Sequence, residues 1–170
     1  MQKTQAVALT VLLVGCAAMP QNPDDFRKAV SGGAVMTKTD SYEVNRSTQA
    51  VGTTFKQRAQ ECLGVQVRTV SQTSTSYQNI LTTYKPTVLA NDRRAELHVQ
   101  QLHKGGGVIY PQQPPEGGVY IFVADATPVS ANRTRIHLYG PSRGYDVLYR
   151  AVRGWTSGEN LGCPDMTKIG

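Results

Sequence analysis

The sequence predicts an α+β domain: one antiparallel sheet of about five strands with two helices packed on one face. Three observations predict it. Two stretches repeat apolar residues at helical spacing, Val51, Phe55, Ala59 and Cys62 in one and Leu148, Ala151, Val152 and Trp155 in the other. Between them run short segments that alternate apolar and polar side chains, as half-buried strands do. A cysteine stands at or just beyond the C-terminal end of each helical stretch, Cys62 and Cys163. The element order reads β-α-β-β-β-β-β-α, and a strand run flanked by two striped helices buries both stripes on one side of a sheet.

Each element has its own local reason. Ser41 to Arg46 alternates, with Tyr42 and Val44 on one face, and reads as a strand. Ser47 is a good helix cap, and the helix after it runs to about Leu63, where Gly64 stops it. Gly52 inside that helix costs about 1 kcal/mol against alanine. Val65 to Val70 is a strand with Val65 and Val67 inward. Asn79 to Leu89 is extended, but Pro86 confines it to an edge or a bulge. Asn91-Asp92 turns the chain, and Arg93 to Leu102 alternates as the partner strand. Lys104 to Gly118 is a long loop with five glycines and three prolines. Val119 to Ala124 is apolar on both faces and belongs in the middle of the sheet. Arg133 to Tyr139 alternates again, and Tyr145 to Ser157 is the second helix.

The N-terminus carries a different signal. Lys3 is followed by an apolar run, Ala6 to Val14, and then by Gly15-Cys16. A basic start, a short apolar core and a small-residue exit make a secretory signal, too short to span a bilayer, which takes ~20 residues as a helix. Leu13-Val14-Gly15-Cys16 resembles the lipobox of bacterial lipoproteins. The resemblance implies a signal peptide over 1–15, cut before Cys16, with acyl chains on the Cys16 thiol and on the new amine. Two or more chains anchor stably, at ~0.8 kcal/mol per buried methylene. Ala17 after the cysteine, where that family uses Asp for inner-membrane retention, implies the outer membrane, facing the periplasm. Residues 16–40 are expected to be a lipidated flexible tether, broken by Pro20, Pro23, Gly32 and Gly33, and 41–170 a single globular domain. Asp24 to Val30 allows a helical turn and Phe26 a contact with the domain; both stay open at this level.

With Cys16 assigned to lipid, Cys62 and Cys163 form an even pair in an oxidising compartment, and a disulfide is expected. Closing a loop of about 100 residues stabilises by ~4–5 kcal/mol. The formal charge of +6 falls by one when Lys3 is cut away. It suits anionic lipid, peptidoglycan carboxylates or an acidic envelope protein. Nucleic acid is a poor partner for an exported chain.

The chain has no HExxH or P-loop sequence, and no cofactor is expected. His98, His103 and His137 read as solvent-facing strand residues rather than metal ligands. The polar sheet face is the candidate binding surface: Arg94, Glu96 and His98 share parity on one strand, and Arg133, Arg135 and His137 on another, with Tyr139 beside them. Val108-Ile109-Tyr110 in the long loop is a candidate contact, set against its folding back over the core. The element order resembles helix-grip and similar small α+β domains of some outer-membrane assembly lipoproteins. The expected function is a non-catalytic envelope lipoprotein that binds or scaffolds another envelope component. The alternative is a small-ligand carrier or enzyme with a site between sheet and helices, lined by Tyr77, Tyr84 or Tyr145.

Overall fold

The structure is a computed structural model that describes residues 18–105 and 107–170. The signal segment and Cys16 lie outside the described residues. In chain order the elements are α1 (Pro23–Ser31), β1 (Thr37–Val44), α2 (Thr48–Arg58) continued by a π-helical turn (Ala59–Leu63), β2 (Gln66–Gln72), β3 (Tyr77–Asn91), β4 (Arg94–Gly105), β5 (Val119–Ser130), β6 (Arg133–Pro141) and α3 (Asp146–Ser157), with a final 3-10 turn (Met166–Lys168). The six strands form one sheet, every neighbouring pair antiparallel, in the order β1-β6-β5-β4-β3-β2. The α+β class and the antiparallel sheet are as expected, with six strands in place of about five and three helices in place of two.

α2 and α3 cover one face together. Val51, Phe55, Leu148, Val152 and Trp155 are fully buried against Leu97, Val99, Phe122, Ala124, Ile136 and Leu138 of the central strands. Each such side chain contributes ~1.5–3 kcal/mol relative to exposure. The caps follow the sequence: Ser47 Oγ accepts from the Ala50 amide, and Gly158 closes α3 in the left-handed region. Gly52 has a packing reason. A Cβ there would stand 3.1 Å from the Cβ atoms of Ala90 and Ala95, so glycine lets α2 lie close on the sheet. Pro86 falls past the Gln66↔Thr83 pair that ends the β2–β3 ladder. There β3 has β4 alone as a neighbour, and a missing amide donor is tolerated. Cys62 and Cys163 are bonded, with their Cα atoms 4.9 Å apart, tying the end of α2 to the tail beyond α3.

The segment expected as a tether departs from that expectation. Residues 23–31 are a helix, and residues 37–40 already belong to β1. The local reasons are plain. Asn22 caps α1 by accepting from the Asp25 amide, Pro23 opens its first turn, and Asp24 and Asp25 lie at the positive end of its dipole. Phe26 and Val30, one turn apart, are buried on Val123 beside Tyr120 and Tyr139. α1 thus packs on the sheet face opposite α2 and α3, so helices cover both faces rather than one.

Candidate functional site

The polar residues of the α1-covered face come from three adjacent strands. β5 lies between β4 and β6, and the register sets Glu96 opposite Asp125 and Asp125 opposite His137. One row further, His98 stands opposite Val123, and Val123 opposite Tyr139. The two halves of the predicted surface are therefore brought onto one face, with Asp125 between them.

Arg27 of α1 reaches down onto this row. Its Nε donates to Asp125 Oδ2 at 2.8 Å and its Nη2 to Asp125 Oδ1 at 2.6 Å, a two-pronged pair. Nη2 also bonds Glu96, and Nη1 donates to Asp24 at 2.7 Å. Arg94 Nε lies 2.5 Å from the other oxygen of Glu96, and His98 Nε2 lies 2.8 Å from Glu96 Oε2. The side chains of Arg27, Glu96 and Asp125 are only 11–13% exposed. Burial works against every charge here. It is outweighed at Arg27, whose pKa is raised by its bonds to Asp125 and Glu96. It is outweighed at Glu96 too, which His98, Arg27 and Arg94 hold below the usual carboxylate range. At His98 burial wins over Glu96 and the pKa is lowered, which favours the neutral ring.

This arrangement revises the candidate surface. His98 is 4% exposed, with the Tyr120 ring edge-on to it, so it does not face solvent. The reason is Arg27, which supplies the charge that lets Glu96 and Asp125 be buried. Arg94 remains half exposed but spends its guanidinium on Glu96. Arg133 and Arg135 are exposed and both bond Glu43 of β1, at 3.3 and 2.7 Å. His137 and Tyr139 are partly covered. The loop residues divide. Tyr110 folds back, its hydroxyl accepting from the His103 amide at 2.7 Å, while Ile109 is 89% exposed and Val108 38%. Gln100 holds the end of the loop by donating to the Glu116 and Gly118 carbonyls. Among the described residues no three His, Cys, Asp or Glu side chains cluster as metal ligands.

Beside α1 lies an apolar groove of about 650 Å³. Its walls are Met19 and Pro20 at the start of the described chain, Ala29 and Val30 of α1, Ala34, and Pro111 of the long loop. The Met19 amide donates to Gln112 Oε1 at 3.0 Å, so the entering chain is fastened to the loop. The space between the sheet and the α2–α3 pair is filled: Tyr84 and Tyr145 are buried in the core, and Tyr77 is 64% exposed elsewhere.

Arg27 and Asp125 are the residues that sequence reasoning missed. Asp125 had a signal, a lone carboxylate inside the apolar run VYIFVADA. No protein-family model matches the chain, and no curated protein matches it. No helix among the described residues is long and apolar enough to cross a membrane.

Proposed function

We propose that the chain is a non-catalytic envelope lipoprotein, anchored by lipid on Cys16 in a bacterial outer membrane and facing the periplasm, where it binds or scaffolds another envelope component. The observation that carries this reading is how the N-terminal chain enters the fold. Met19 is fastened to the loop, and α1, starting at Pro23, is held on the sheet by the buried Arg27 pairs. A chain so fixed within a few residues of Cys16 holds the domain close to its attachment point instead of on a long leash. The Cys62–Cys163 bond supports an oxidising compartment. The exposed Arg133 and Arg135 share the one carboxylate of Glu43 and leave positive charge for an anionic lipid, peptidoglycan or an acidic envelope protein.

The test is intact mass on protein taken from its native membrane, followed by crosslinking there. A chain beginning at Cys16 and carrying acyl groups, with crosslinks to an envelope component, supports the reading. An unprocessed or unacylated Cys16 removes it.

A further inference from the structure

One end of the sheet gathers the molecule's exposed apolar side chains. β1 and β5 start there, β4 and β6 end there, and the β2–β3 hairpin turns there. Because Ile80 pairs with Gly105 at the end of β4, the hairpin tip projects beyond its neighbour. Seven large apolar side chains are exposed among the described residues. Six of them, Val35, Met36, Val70, Tyr77, Val108 and Ile109, lie at this end; Leu89 alone lies at the other. Such clustering marks a contact surface, since scattered exposed apolar residues need no explanation.

The segments that carry these side chains are held in place. Met36 adopts φ 60°, the left-handed region that a non-glycine residue seldom enters. Its carbonyl accepts from the Ser142 amide at 2.8 Å, and the Thr37 amide bonds Ala34. The turn presents Val35, 89% exposed, and Met36, 64% exposed, outward. Across the groove, Ile109 precedes the Tyr110 and Pro111 anchors of the loop. Two exposed cations, Lys104 at the end of β4 and Arg143 just past β6, lie at the same end.

The entering chain selects the occupant. Met19 is bonded to Gln112 at this end, and Cys16 precedes it by three residues, a reach of about 10 Å. We propose that this end of the sheet is a membrane-docking surface. It rests on a phospholipid bilayer with Val35, Met36 and Ile109 at head-group depth, Tyr77 at the interface, and Lys104 and Arg143 against anionic phosphates. The proposal rests on the lipid-anchor reading for what brings the bilayer to this end, but its contacts are measurable without the anchor.

Tryptophan reporters test it in the full mature chain. The native Trp155 is 1% exposed and provides a constant background. Val35→Trp, Ile109→Trp and, at the opposite end, Leu89→Trp each replace an exposed side chain. They are mixed with vesicles of phosphatidylethanolamine and phosphatidylglycerol bearing brominated acyl chains, as acylated protein and as Cys16→Ser. The expected result in both forms is a blue shift and loss of emission for the first two reporters and neither for Leu89→Trp, with a large vesicle excess needed for Cys16→Ser. Equal quenching of all three reporters overturns the proposal. So does quenching of none while acylated protein sediments with the vesicles, which assigns this end to a protein contact. If mass spectrometry finds no acyl group on Cys16, the anchor reading fails by itself. The docking surface is then judged on the unacylated chain, where selective quenching sustains it and none overturns it.

Discussion

Arg27, in the N-terminal helix, grips Asp125, in the middle of the sheet, through two hydrogen bonds of 2.8 and 2.6 Å across 98 residues of sequence. The pair makes a short helix with only two buried apolar residues into a fixed part of the domain. Removing one partner leaves the other as a buried charge with less compensation, which costs more than the intact pair contributes.

Arg27→Ala is therefore expected to lower stability by about 3 kcal/mol, the lower end for breaking a buried ion pair because Arg94 still lies beside Glu96 and Asp125. Urea unfolding measures it. Arg27→Ala with Asp125→Asn and Glu96→Gln is expected to recover part of the loss. A single variant as stable as the parent would show that the network holds nothing.

The same network sets a pH dependence with a definite sign. Burial lowers the His98 pKa in the fold, so stability is full above the unfolded value of about 6.5 and declines as pH falls through the folded one. Burial opposes the depression of Glu96, but its bonds to His98 and Arg27 prevail; its contribution is full above the unfolded value of about 4.3 and is lost as pH falls through the folded one. The melting temperature is expected to begin falling below about pH 6.5 and to fall again below about pH 4.3. His98→Gln should shrink the first descent, leaving the share of His103, whose pKa burial also lowers. Scanning calorimetry across pH checks this, and an unchanged first descent in His98→Gln refutes the assignment.

Gly52 gives a prediction that helix propensity alone gets backwards. Gly52→Ala gains about 1 kcal/mol of propensity. It also presses a methyl against Ala90 and Ala95 at 3.1 Å, and overpacking of that kind costs about 1–3 kcal/mol. The net expected effect is destabilising. Adding Ala95→Gly relieves one of the two contacts and should make Gly52→Ala less costly than in the parent, a coupling that a double-mutant cycle in urea reads directly.

Reduction of Cys62–Cys163 is expected to cost about 4–5 kcal/mol by the loop-entropy argument. The loss should appear as a lower urea midpoint in the Cys62→Ala, Cys163→Ala double variant. Hydrogen exchange should rise first in the Ala59–Leu63 turn and the tail after α3, the two segments that the bond joins.

What the sequence makes legible is what repeats locally. α2 and α3 carry four-residue stripes at helical spacing, β6 alternates cleanly, and Ser47 stands where a cap belongs. α1 has a stripe of only Phe26 and Val30, bracketed by prolines and glycines, and its docking depends on acids brought in from 69 and 98 residues away. No local period encodes that. The candidate surface was legible as a set of residues on one face, because strand parity puts them there. Its covering by Arg27 was not, since parity says nothing of what lies above a sheet. A carboxylate such as Asp125 in an apolar run is itself a request for a counter-charge, and that request can be read from sequence even when its answer cannot.

The strand order also imposes a timetable. β1 bonds only to β6, with Thr37 opposite Pro141 and Val44 opposite Thr134, and the counter-ions of α1 sit in β4 and β5. A ribosome delivers the first helix and the first strand long before their partners exist. The β2-to-β6 meander can zip up from neighbouring segments, but the opening stretch must wait for the last strand and then close over a long loop, which is slow. Until that moment Phe26, Arg27 and Val30 stay accessible to whatever handles the nascent protein, and the finished fold covers them afterwards.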